Sequence, residues 1–377
     1  MDPLAPRDDG MIPAAQRPER GSGRRHPEPE HAFRNPYQRD RDRIIHAASF
    51  RRLEYKTQVF VNGEGDNYRT RLTHTLEVAQ ITRTLARALH INEDLAEAVA
   101  MSHDLGHTPF GHAGERLLDK VLGECGYKEG FNHNTHGLRV VDFLEKRYAA
   151  FDGINLTFET REAFIRHAGR GRAQDSEFAP DDAPLLEVAC TLLADDIAYL
   201  AHDIDDGLYS GMLREEDLQS LALWRRATES APGYEAMSAS LKRMEGVRRL
   251  INILAGDAIG CTAANIRSLG FFSPEAVRRG PETAAGFSDG MEEEKARLKA
   301  FLYRNFYRNP KLMTVMEIAQ EKLRSLFMVY KAEPKKMPME YREIADKQGI
   351  DRAAADYLAG MTDRFAREEF ARHFGKC

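Results

Sequence analysis

Apolar residues recur every three or four positions along most of this chain, whereas strict alternation of apolar and polar residues is nearly absent. The first spacing puts apolar side chains on one face of an α-helix, as in segments 70–90, 184–201 and 312–331. Only the short runs 57–61 and 154–158 resemble strands. The sequence therefore predicts an all-α fold, a helical bundle with at most short β segments.

The length and the composition of the first residues predict how the chain is divided. Its 377 residues are enough for one large helical domain or two smaller ones. Residues 1–36 are rich in proline, glycine and charge and nearly lack large apolar side chains, so we expect a disordered tail there. Residues 37–377 are expected to form a single body. Within it, the core is predicted at about 68–210 and extra C-terminal helices at about 211–377.

Composition also excludes several classes of protein and marks two connections. The formal net charge is −5, so the chain lacks the global basic field that binds nucleic acid without sequence preference. Its four cysteines have neither metal-ligand spacing nor disulfide density, which is typical of a reducing compartment. No signal segment or bilayer-length apolar run is apparent, so we expect a cytoplasmic protein without membrane contact. Glycine-rich stretches at 169–182 and 273–290 are predicted to be mobile loops.

Histidines and acids cluster in segment 100–115, which contains three histidines and two acids within sixteen residues. A metal-centred interpretation takes the ligands to be two imidazoles and two carboxylates: His74, His103, Asp104 and Asp195. This donor set suits Mn²⁺, Fe²⁺, Co²⁺, Ni²⁺ or Zn²⁺ and is less natural for Mg²⁺, which prefers oxygen. Four protein ligands would leave coordination positions for water and a phosphate oxygen.

A structural interpretation of the same residues competes with this one. A His-Asp pair is expected about once by chance in a chain of this composition, and a second pair is present at His202-Asp203. Taken singly, the nearby histidines are more often surface or hydrogen-bonded structural residues. Their clustering favours phosphate contact and proton transfer instead, for which the candidates are His107, His112, His133 and Glu115.

Arginines are dense between residues 39 and 71, where they form either a solvated face or phosphate-binding groups. Arg71 lies three residues before His74, hence on the same face of the predicted helix. It is therefore the best phosphate candidate among them.

Several motifs together resemble the HD-domain deoxynucleoside triphosphate triphosphohydrolases, in particular the bacterial deoxyguanosinetriphosphate triphosphohydrolase-like proteins. They extend from about residue 37 to the end of the chain. The motifs are FRRLEYKTQVF (50–60), YRTRLTHTLEV (68–78), HDLGHTPFGH (103–112), FNHN (131–134), ADDIAY (194–199) and DYLAGMTD (356–363).

The resemblance implies roles for the clustered residues. His74, His103, Asp104 and Asp195 would be the metal ligands, with Asp195 chosen over Asp196 because it precedes Tyr199 by four residues. The implied catalytic residues are His112 and Glu115, an acid and base pair near the scissile bond, together with His107. The residues implied around the triphosphate are Arg71, His107 and His133.

The resemblance also implies a sugar and base site. Gln58 would touch both base and sugar, Tyr199 would pack on the deoxyribose, and Asp203 would accept from its 3′-hydroxyl. The residues that would close the pocket, by a looser correspondence, are Lys299, Tyr303 and Tyr307. One departure from the family pattern is Thr135-His136, where an acid and a glutamine are expected.

The activity that the resemblance implies is hydrolysis of a deoxynucleoside 5′-triphosphate, of dGTP or another base, to the deoxynucleoside and inorganic tripolyphosphate. Water would attack the α-phosphorus, and His112 would protonate the leaving 5′-oxygen. The cofactor would be one divalent ion per site, drawn from Mn, Mg, Co, Ni, Fe and Zn. A homo-oligomer, for instance a hexamer, is implied, with a deoxynucleoside triphosphate or single-stranded DNA as an effector.

Two alternatives remain open at the level of sequence. One is an HD-domain phosphohydrolase that acts on a nucleoside monophosphate or a phosphodiester. The other is a nucleotide-sensing binding protein whose pocket controls assembly rather than chemistry.

Overall fold

Helices make up most of the described part of this protein. The computed structural model describes residues 2–5, 7, 9–59, 68–167, 177–178, 182–281 and 284–375. Over these residues the α-helices, in chain order, are α1 (Pro36–Ile45), α2 (Ala48–Arg52), α3 (Arg71–Leu89), α4 (Glu93–Ser102), α5 (Gly111–Glu124), α6 (His133–Arg139), α7 (Phe158–His167), α8 (Leu186–Tyr209), α9 (Glu215–Leu218), α10 (Ala222–Glu229), α11 (Ala239–Leu269), α12 (Pro274–Arg278), α13 (Asp289–Leu302), α14 (Pro310–Ala332), α15 (Met339–Gln348), α16 (Ile350–Ala359) and α17 (Asp363–Phe374).

The all-α class predicted from the sequence is confirmed. Within the described residues, β pairing is limited to isolated bridges, which join Arg24 to Thr157, Thr57 to Thr70 and Lys146 to Gly153. The predicted strand at 57–61 contributes only the bridge of Thr57, and residues 60 and 61 lie outside the described part. The predicted strand at 154–158 contributes only the bridge of Thr157, and Phe158 already begins α7.

The chain forms two compact units that alternate along the sequence. The first unit comprises Met1–Asp42, His74–Met101 and Thr157–Asn309, and the second comprises Arg43–Thr73, Ser102–Leu156 and Pro310–Cys377. The sequence-based expectation, a single body at 37–377 with its core at about 68–210 and C-terminal helices at about 211–377, stays a prediction. Helical periodicity does not reveal which helices pack together, so the alternation of segments could not be read from the sequence.

In the first unit, α8 packs against α7, α11 and α13, and α11 packs against α10. Gly246 in α11 shows how close this packing is, because a Cβ atom there would lie 2.5 Å from the Trp224 ring of α10. Both α8 and α11 contain charged residues among their apolar ones. None of the helices in the described residues is long and apolar enough to cross a membrane.

Residues 9–21, which the sequence predicts as part of a disordered tail, make specific contacts within the first unit. Ile12 is buried, and its backbone N–H donates to the carbonyl of His90 at 2.9 Å. The Arg17 guanidinium donates to Asp9 at 2.7 Å and to the carbonyl of Ala15 at 3.0 Å. Composition did not foresee these bonds, since they use backbone carbonyls and one arginine rather than a large apolar surface.

The second unit has a continuous hydrophobic core built mainly by α5, α14, α16 and α17. Leu118 and Leu122 of α5 and Phe327 and Tyr330 of α14 are almost completely buried in it. The sequence predicts one long helix at 351–373, but the structure breaks it into α16 and α17. The reason is local, because Thr362 caps α17 by accepting the backbone N–H of Phe365 at 3.2 Å.

The predicted loops differ in how far they can be compared with the structure. The stretch 273–290 contains the short helix α12 and the start of α13, and Ser273 and Ser288 cap these helices. Most of the stretch 169–182 lies outside the described residues.

A buried carboxylate in the first unit leads to a prediction about stability and pH. Glu187 on α8 is fully buried, and its Oε1 accepts the backbone N–H groups of Gln16 at 3.0 Å and Asn92 at 3.1 Å. Its Oε2 has no hydrogen-bond partner among the described residues. Burial raises the pKa of Glu187 from 4.5 to about 7, against the opposing effect of the two N–H groups.

The folded state holds the proton of Glu187 more tightly than the unfolded state does. The stabilisation that this proton contributes is therefore fully present below the unfolded pKa and is lost as pH rises through the folded pKa. As the pH rises from about 5 to about 8, deprotonation of Glu187 should lower the free energy of unfolding by about 2 to 3 kcal/mol. Glu187→Gln keeps the acceptor oxygen and should remove this part of the pH dependence of the free energy of unfolding, measured by urea denaturation. Glu293→Gln, at an exposed site on α13, should behave like the parent. Parallel pH curves for Glu187→Gln and the parent would contradict the prediction.

Candidate functional site

The segment between α4 and α5 carries the densest histidine motif of the sequence. The sequence predicts that His103 and Asp104 form the last turn of this helix. In the structure α4 ends at Ser102, so both residues follow the helix. α5 begins at Gly111, preceded by Phe110 with a φ of 59°. A left-handed conformation at a bulky residue costs energy and persists only where its surroundings enforce it.

Asp363, at the start of α17, holds Phe110 in this left-handed conformation. Its buried carboxylate accepts the backbone N–H of Phe110 at 2.9 Å and the backbone N–H of Thr57 at 3.0 Å. It also accepts a hydrogen bond from the Thr57 hydroxyl. Burial raises the pKa of Asp363 despite these bonds. One side chain near the C-terminus thus fixes two segments that carry predicted site residues.

Lys56 provides a second link of the same kind. Its ammonium group is buried and donates to the carbonyl of His107 and, at 2.9 Å, to the carbonyl of Ala359. Burial, assisted by the positive charges of Arg52 and Arg71, lowers the pKa of Lys56 to about 7. The lysine therefore holds the backbone of the histidine segment against the end of α16.

Gly106 allows the histidine segment to pack directly on the backbone of α6. A Cβ atom on Gly106 would lie 1.9 Å from the carbonyl oxygen of His133 and 2.3 Å from the nitrogen of Gly137. This contact brings the ring of His107 onto the ring of His133, with centroids 3.9 Å apart and planes 17° from parallel.

Glu115 on α5 forms hydrogen bonds with both His112 and His133. One carboxylate oxygen accepts from His112 Nδ1 at 3.0 Å. The other accepts from His133 Nδ1 at 2.7 Å and from the His133 backbone N–H at 2.9 Å. The side chain of His112 is 63% exposed, while that of Glu115 is 13% exposed. The structure therefore brings together the four residues that the sequence nominated for proton transfer and phosphate contact: His107, His112, Glu115 and His133.

The charge state of this cluster follows from its contacts. Burial raises the pKa of Glu115, but the hydrogen bonds from His112 and His133 outweigh burial and hold it far below its ordinary value. Burial, together with the charge of Arg71, lowers the pKa of His107 well below its ordinary value. Glu115 is thus ionised and His107 neutral near pH 7, which leaves His112 as the exposed histidine beside a fixed negative charge.

Asp104 is the centre of a second group in the same unit. Arg71 Nη1 donates to its Oδ2 at 3.0 Å, and His107 Nε2 lies 3.1 Å from its Oδ1. The pKa of Asp104 is held well below its usual range because His103, Arg71 and His107 together outweigh its burial. Arg71 and His107, both predicted to bind phosphate, thus also contact a predicted metal ligand.

Nε of Arg71 and Nδ1 of His107 are among the buried polar atoms that have no hydrogen-bond partner in the described residues. The Oε1 atom of Gln58 is in the same situation. Buried polar atoms are rarely left unpaired, so these three indicate a polar ligand. Gln58 was predicted to touch base and sugar, and residues 60–67 after it lie outside the described part.

In the first unit, α8 presents Asp195, Tyr199 and Asp203 at intervals of four residues, hence on one face. Asp203 accepts a hydrogen bond from the Tyr307 hydroxyl. The rings of Tyr199 and Tyr307 are nearly parallel, 15° apart, with centroids at 6.1 Å. Burial raises the pKa of Tyr199, so its hydroxyl stays protonated. The two predicted sugar-site residues, Tyr199 and Asp203, therefore lie together with the pocket-closing candidate Tyr307.

Asp195 is paired with His74, which lies in the first turn of α3. His74 Nε2 is 3.0 Å from Asp195 Oδ1, and the His74 side chain is almost fully buried. An imidazole nitrogen and a carboxylate oxygen of two predicted metal ligands of the first unit thus lie next to each other.

The other two pocket-closing candidates make different contacts. Lys299 Nζ lies 2.5 Å from Asp196 Oδ1, and the Tyr303 hydroxyl accepts from Arg308 at 3.1 Å. Tyr303 and Tyr307 begin and end a π-helical turn after α13, a geometry often found at functional sites. Of the set, only Tyr307 is seen beside Asp203.

Sequence reasoning missed the residues that position the site. Lys56 and Asp363 lie inside motifs that carry the family resemblance, but nothing in their own spacing connects them to His107 or Phe110. Gly106 lies inside the histidine motif, where its role as a close contact was equally invisible.

Comparison with known proteins adds an independent finding. Residues 71–200 match the HD domain, and residues 285–372 match a phosphohydrolase-associated domain. A deoxyguanosinetriphosphate triphosphohydrolase-like protein of Bordetella pertussis is 47% identical over 367 residues, which cover 96% of this chain and 95% of the relative. A protein of the same name from Geobacter sulfurreducens is 46% identical and covers 94% of this chain and 92% of its own. A solved structure of a hypothetical protein from Aquifex aeolicus covers 80% of this chain and 79% of its own at 18% identity, with a TM-score of 0.30 that supports no argument.

The role of Asp363 predicts the effect of a conservative change. Asp363→Asn replaces one acceptor oxygen with an NH₂ group, which would face a backbone N–H of Phe110 or Thr57 and leave it unpaired. The loss should be about 1 to 3 kcal/mol of stability, with faster hydrogen exchange in the peptides containing Phe110 and Thr57. Thermal unfolding and hydrogen exchange by mass spectrometry measure both effects.

Glu368→Gln, on the exposed face of the same helix, is the matched control and should leave both quantities unchanged. Unaltered exchange at Phe110 and Thr57 in Asp363→Asn would show that this carboxylate does not hold the turn.

Proposed function

Because the chain belongs to the deoxyguanosinetriphosphate triphosphohydrolase-like family of HD-domain proteins, we propose that it hydrolyses deoxynucleoside 5′-triphosphates to the deoxynucleoside and inorganic tripolyphosphate. The observation that carries the proposal is the pair of hydrogen bonds from His112 and His133 to the buried carboxylate of Glu115. Such a pair can deliver a proton to a leaving oxygen beside a phosphate.

His112 is the proposed general acid. Its Nδ1–H donates to Glu115, so its Nε2 can carry the proton that the departing 5′-oxygen receives. The negative charge on Glu115 stabilises the charged imidazole before transfer. The exposure of His112 gives a substrate access to it.

Arg71, His107 and His133 are the proposed triphosphate contacts. The Nε–H of Arg71 is one of the buried unpaired atoms described above, and a phosphate oxygen would accept a hydrogen bond from it. The pairing of Arg71 with Asp104 keeps the guanidinium in place before substrate arrives. Lys299 and Tyr303 are proposed as additional contacts that close over the substrate.

The proposed sugar site uses the face of α8. The Tyr199 ring would pack on the deoxyribose, and Asp203, which now accepts from Tyr307, would accept from the 3′-hydroxyl. A 2′-hydroxyl would clash with the Tyr199 ring, so ribonucleotides should be poor substrates. Gln58 is the proposed contact to the base, with its buried Oε1 in need of a donor.

We propose His74, His103, Asp104 and Asp195 as ligands of one divalent metal. The observation that supports the fit is the convergence of His74 Nε2 and Asp195 Oδ1, an imidazole nitrogen and a carboxylate oxygen. This donor chemistry favours Mn²⁺, Fe²⁺, Co²⁺, Ni²⁺ or Zn²⁺, although Mg²⁺ is included among the candidates. When bound, such a metal supplies Lewis-acid chemistry toward phosphate and water.

We propose further that the protein acts as a homo-oligomer, a hexamer in the first instance, and that a deoxynucleoside triphosphate or single-stranded DNA acts as an effector. Both proposals rest on the family resemblance. Light scattering during size-exclusion chromatography, with and without each effector, tests them.

The products of the reaction test the proposed activity. Phosphorus NMR of the protein with the four deoxynucleoside triphosphates should show inorganic tripolyphosphate, with Mn²⁺ and Mg²⁺ supplied separately. Asp104→Ala should remove the activity because it deletes a metal ligand.

Pyrophosphate or orthophosphate instead of tripolyphosphate would indicate another kind of HD-domain phosphohydrolase. An absence of product with every metal, with and without added effectors, would indicate a nucleotide-binding protein. Equal turnover of GTP and dGTP would contradict the steric role of Tyr199.

The Glu115 contacts predict a specific kinetic effect. Glu115→Gln should lower kcat by roughly 10²- to 10⁴-fold with little change in KM, because a neutral amide cannot stabilise a charged His112. Steady-state kinetics with the preferred substrate give both constants.

Glu124→Gln provides the matched control, since it removes one carboxylate charge from the exposed end of the same helix, where Glu124 pairs with Arg324. It should leave kcat unchanged. A Glu115→Gln enzyme with parental kcat would exclude this acid and base pair.

A further inference from the structure

A row of three polar side chains leads away from the proposed metal ligand His74. His74 Nδ1 lies 3.2 Å from His202 Nδ1, and the rings are nearly perpendicular, at 85°. His202 Nε2 lies 2.5 Å from Glu77 Oε2. The side chains of His74 and His202 are almost fully buried, whereas that of Glu77 is 43% exposed.

The row is built by two helices of the first unit. Glu77 follows His74 by three residues on α3, so both lie on the same face. His202 follows Asp195 by seven residues on α8, two helical turns along the same face. Both helices thus contribute one proposed ligand and one supporting side chain.

Hydrogen-bond chemistry restricts where the protons of this row can lie. The Glu77 carboxylate is an acceptor, so His202 Nε2 must carry a proton to donate to it. Two imidazole nitrogens at hydrogen-bond distance must consist of one donor and one acceptor. His202 therefore joins His74 to Glu77, with one ring nitrogen toward each of them.

The contact with His202 lies at Nδ1 of His74, and the opposite ring nitrogen, Nε2, is the atom that faces Asp195. A metal-ligating imidazole is commonly held in orientation by a hydrogen bond at its other ring nitrogen.

We propose that His202 and Glu77 are positioning residues that hold the ring of His74 with Nε2 directed toward Asp195 and the proposed metal. The inference rests on the metal site of the proposed function and extends it to residues that this function does not use. It also assigns a role to the second His-Asp pair of the sequence, whose histidine supports the metal ligand while its aspartate faces the sugar site.

Metal affinity tests the inference without reference to turnover. Calorimetric titration of the metal-free full chain with Mn²⁺ should give one site for the parent. His202→Phe keeps an aromatic ring but removes both hydrogen-bonding nitrogens, and it should weaken Mn²⁺ binding roughly 10- to 100-fold. His202→Asn places a carbonyl oxygen near the position of Nδ1 and should retain most of the affinity.

Glu77 provides a second pair of variants for which folding is less at risk, because the residue is half-exposed. Glu77→Leu should weaken Mn²⁺ binding, whereas Glu77→Gln, which keeps an acceptor oxygen, should bind more tightly than Glu77→Leu. Gln80→Leu, one turn further on an exposed face of α3, is the control for an added leucine and should match the parent. Melting temperatures of the metal-free variants identify any that fail to fold, in which case the Glu77 pair decides.

Parental Mn²⁺ affinity in His202→Phe and Glu77→Leu would overturn the positioning role while leaving the metal site intact. Equal weakening in His202→Phe and His202→Asn would also overturn it, because a hydrogen-bonding group at this position would then be irrelevant. Failure of the parent to bind Mn²⁺ would instead reject the proposed metal site, and the inference with it.

Discussion

The hydrogen bonds that the buried Asp363 carboxylate accepts fix the turn at Phe110, and the arrangement of the histidine cluster follows from that turn. A carboxylate without partners is costly to bury, so the backbone N–H groups of Phe110 and Thr57 are as necessary to Asp363 as it is to them. Lys56 acts in the same way on the carbonyl of His107. The side chains proposed for chemistry are thus held by a buried aspartate and a buried lysine that do not take part in it.

The second unit combines this backbone anchoring with a compact set of charges. Glu115 and Asp104 are both held ionised by neighbouring histidines, and in the case of Asp104 also by Arg71. Two negative charges fixed in place can orient imidazoles and a guanidinium before any substrate binds, which reduces the reorganisation needed during a reaction. Nε of Arg71 and Nδ1 of His107 are buried without a hydrogen-bond partner in the described part of the chain, which supports the proposal of a polar ligand here.

The first unit reaches a comparable order by helix geometry. A single face of α8 carries Asp195, Tyr199, His202 and Asp203, at spacings of three, four and seven residues. One helix thus aligns a proposed metal ligand, Asp195, with the two residues proposed to contact the sugar, Tyr199 and Asp203. Such spacing is readable in a sequence, and the motif at 194–199 had indeed suggested it. The partners of that face were not readable in the same way, because Glu77 and Tyr307 come from distant segments.

The sequence by itself determined the helical class and the family, because apolar periodicity and contiguous motifs are local properties. It also nominated the clustered residues His107, His112, Glu115 and His133, which lie within one short stretch and one nearby helix. The tertiary structure decided how the chain divides into two alternating units, how residues 9–21 are held, and which groups anchor the site. Asp363, Lys56 and Gly106 act through contacts across large sequence separations or through the absence of a side chain. A one-dimensional pattern carries no signal for either, since such contacts exist only once the helices have packed.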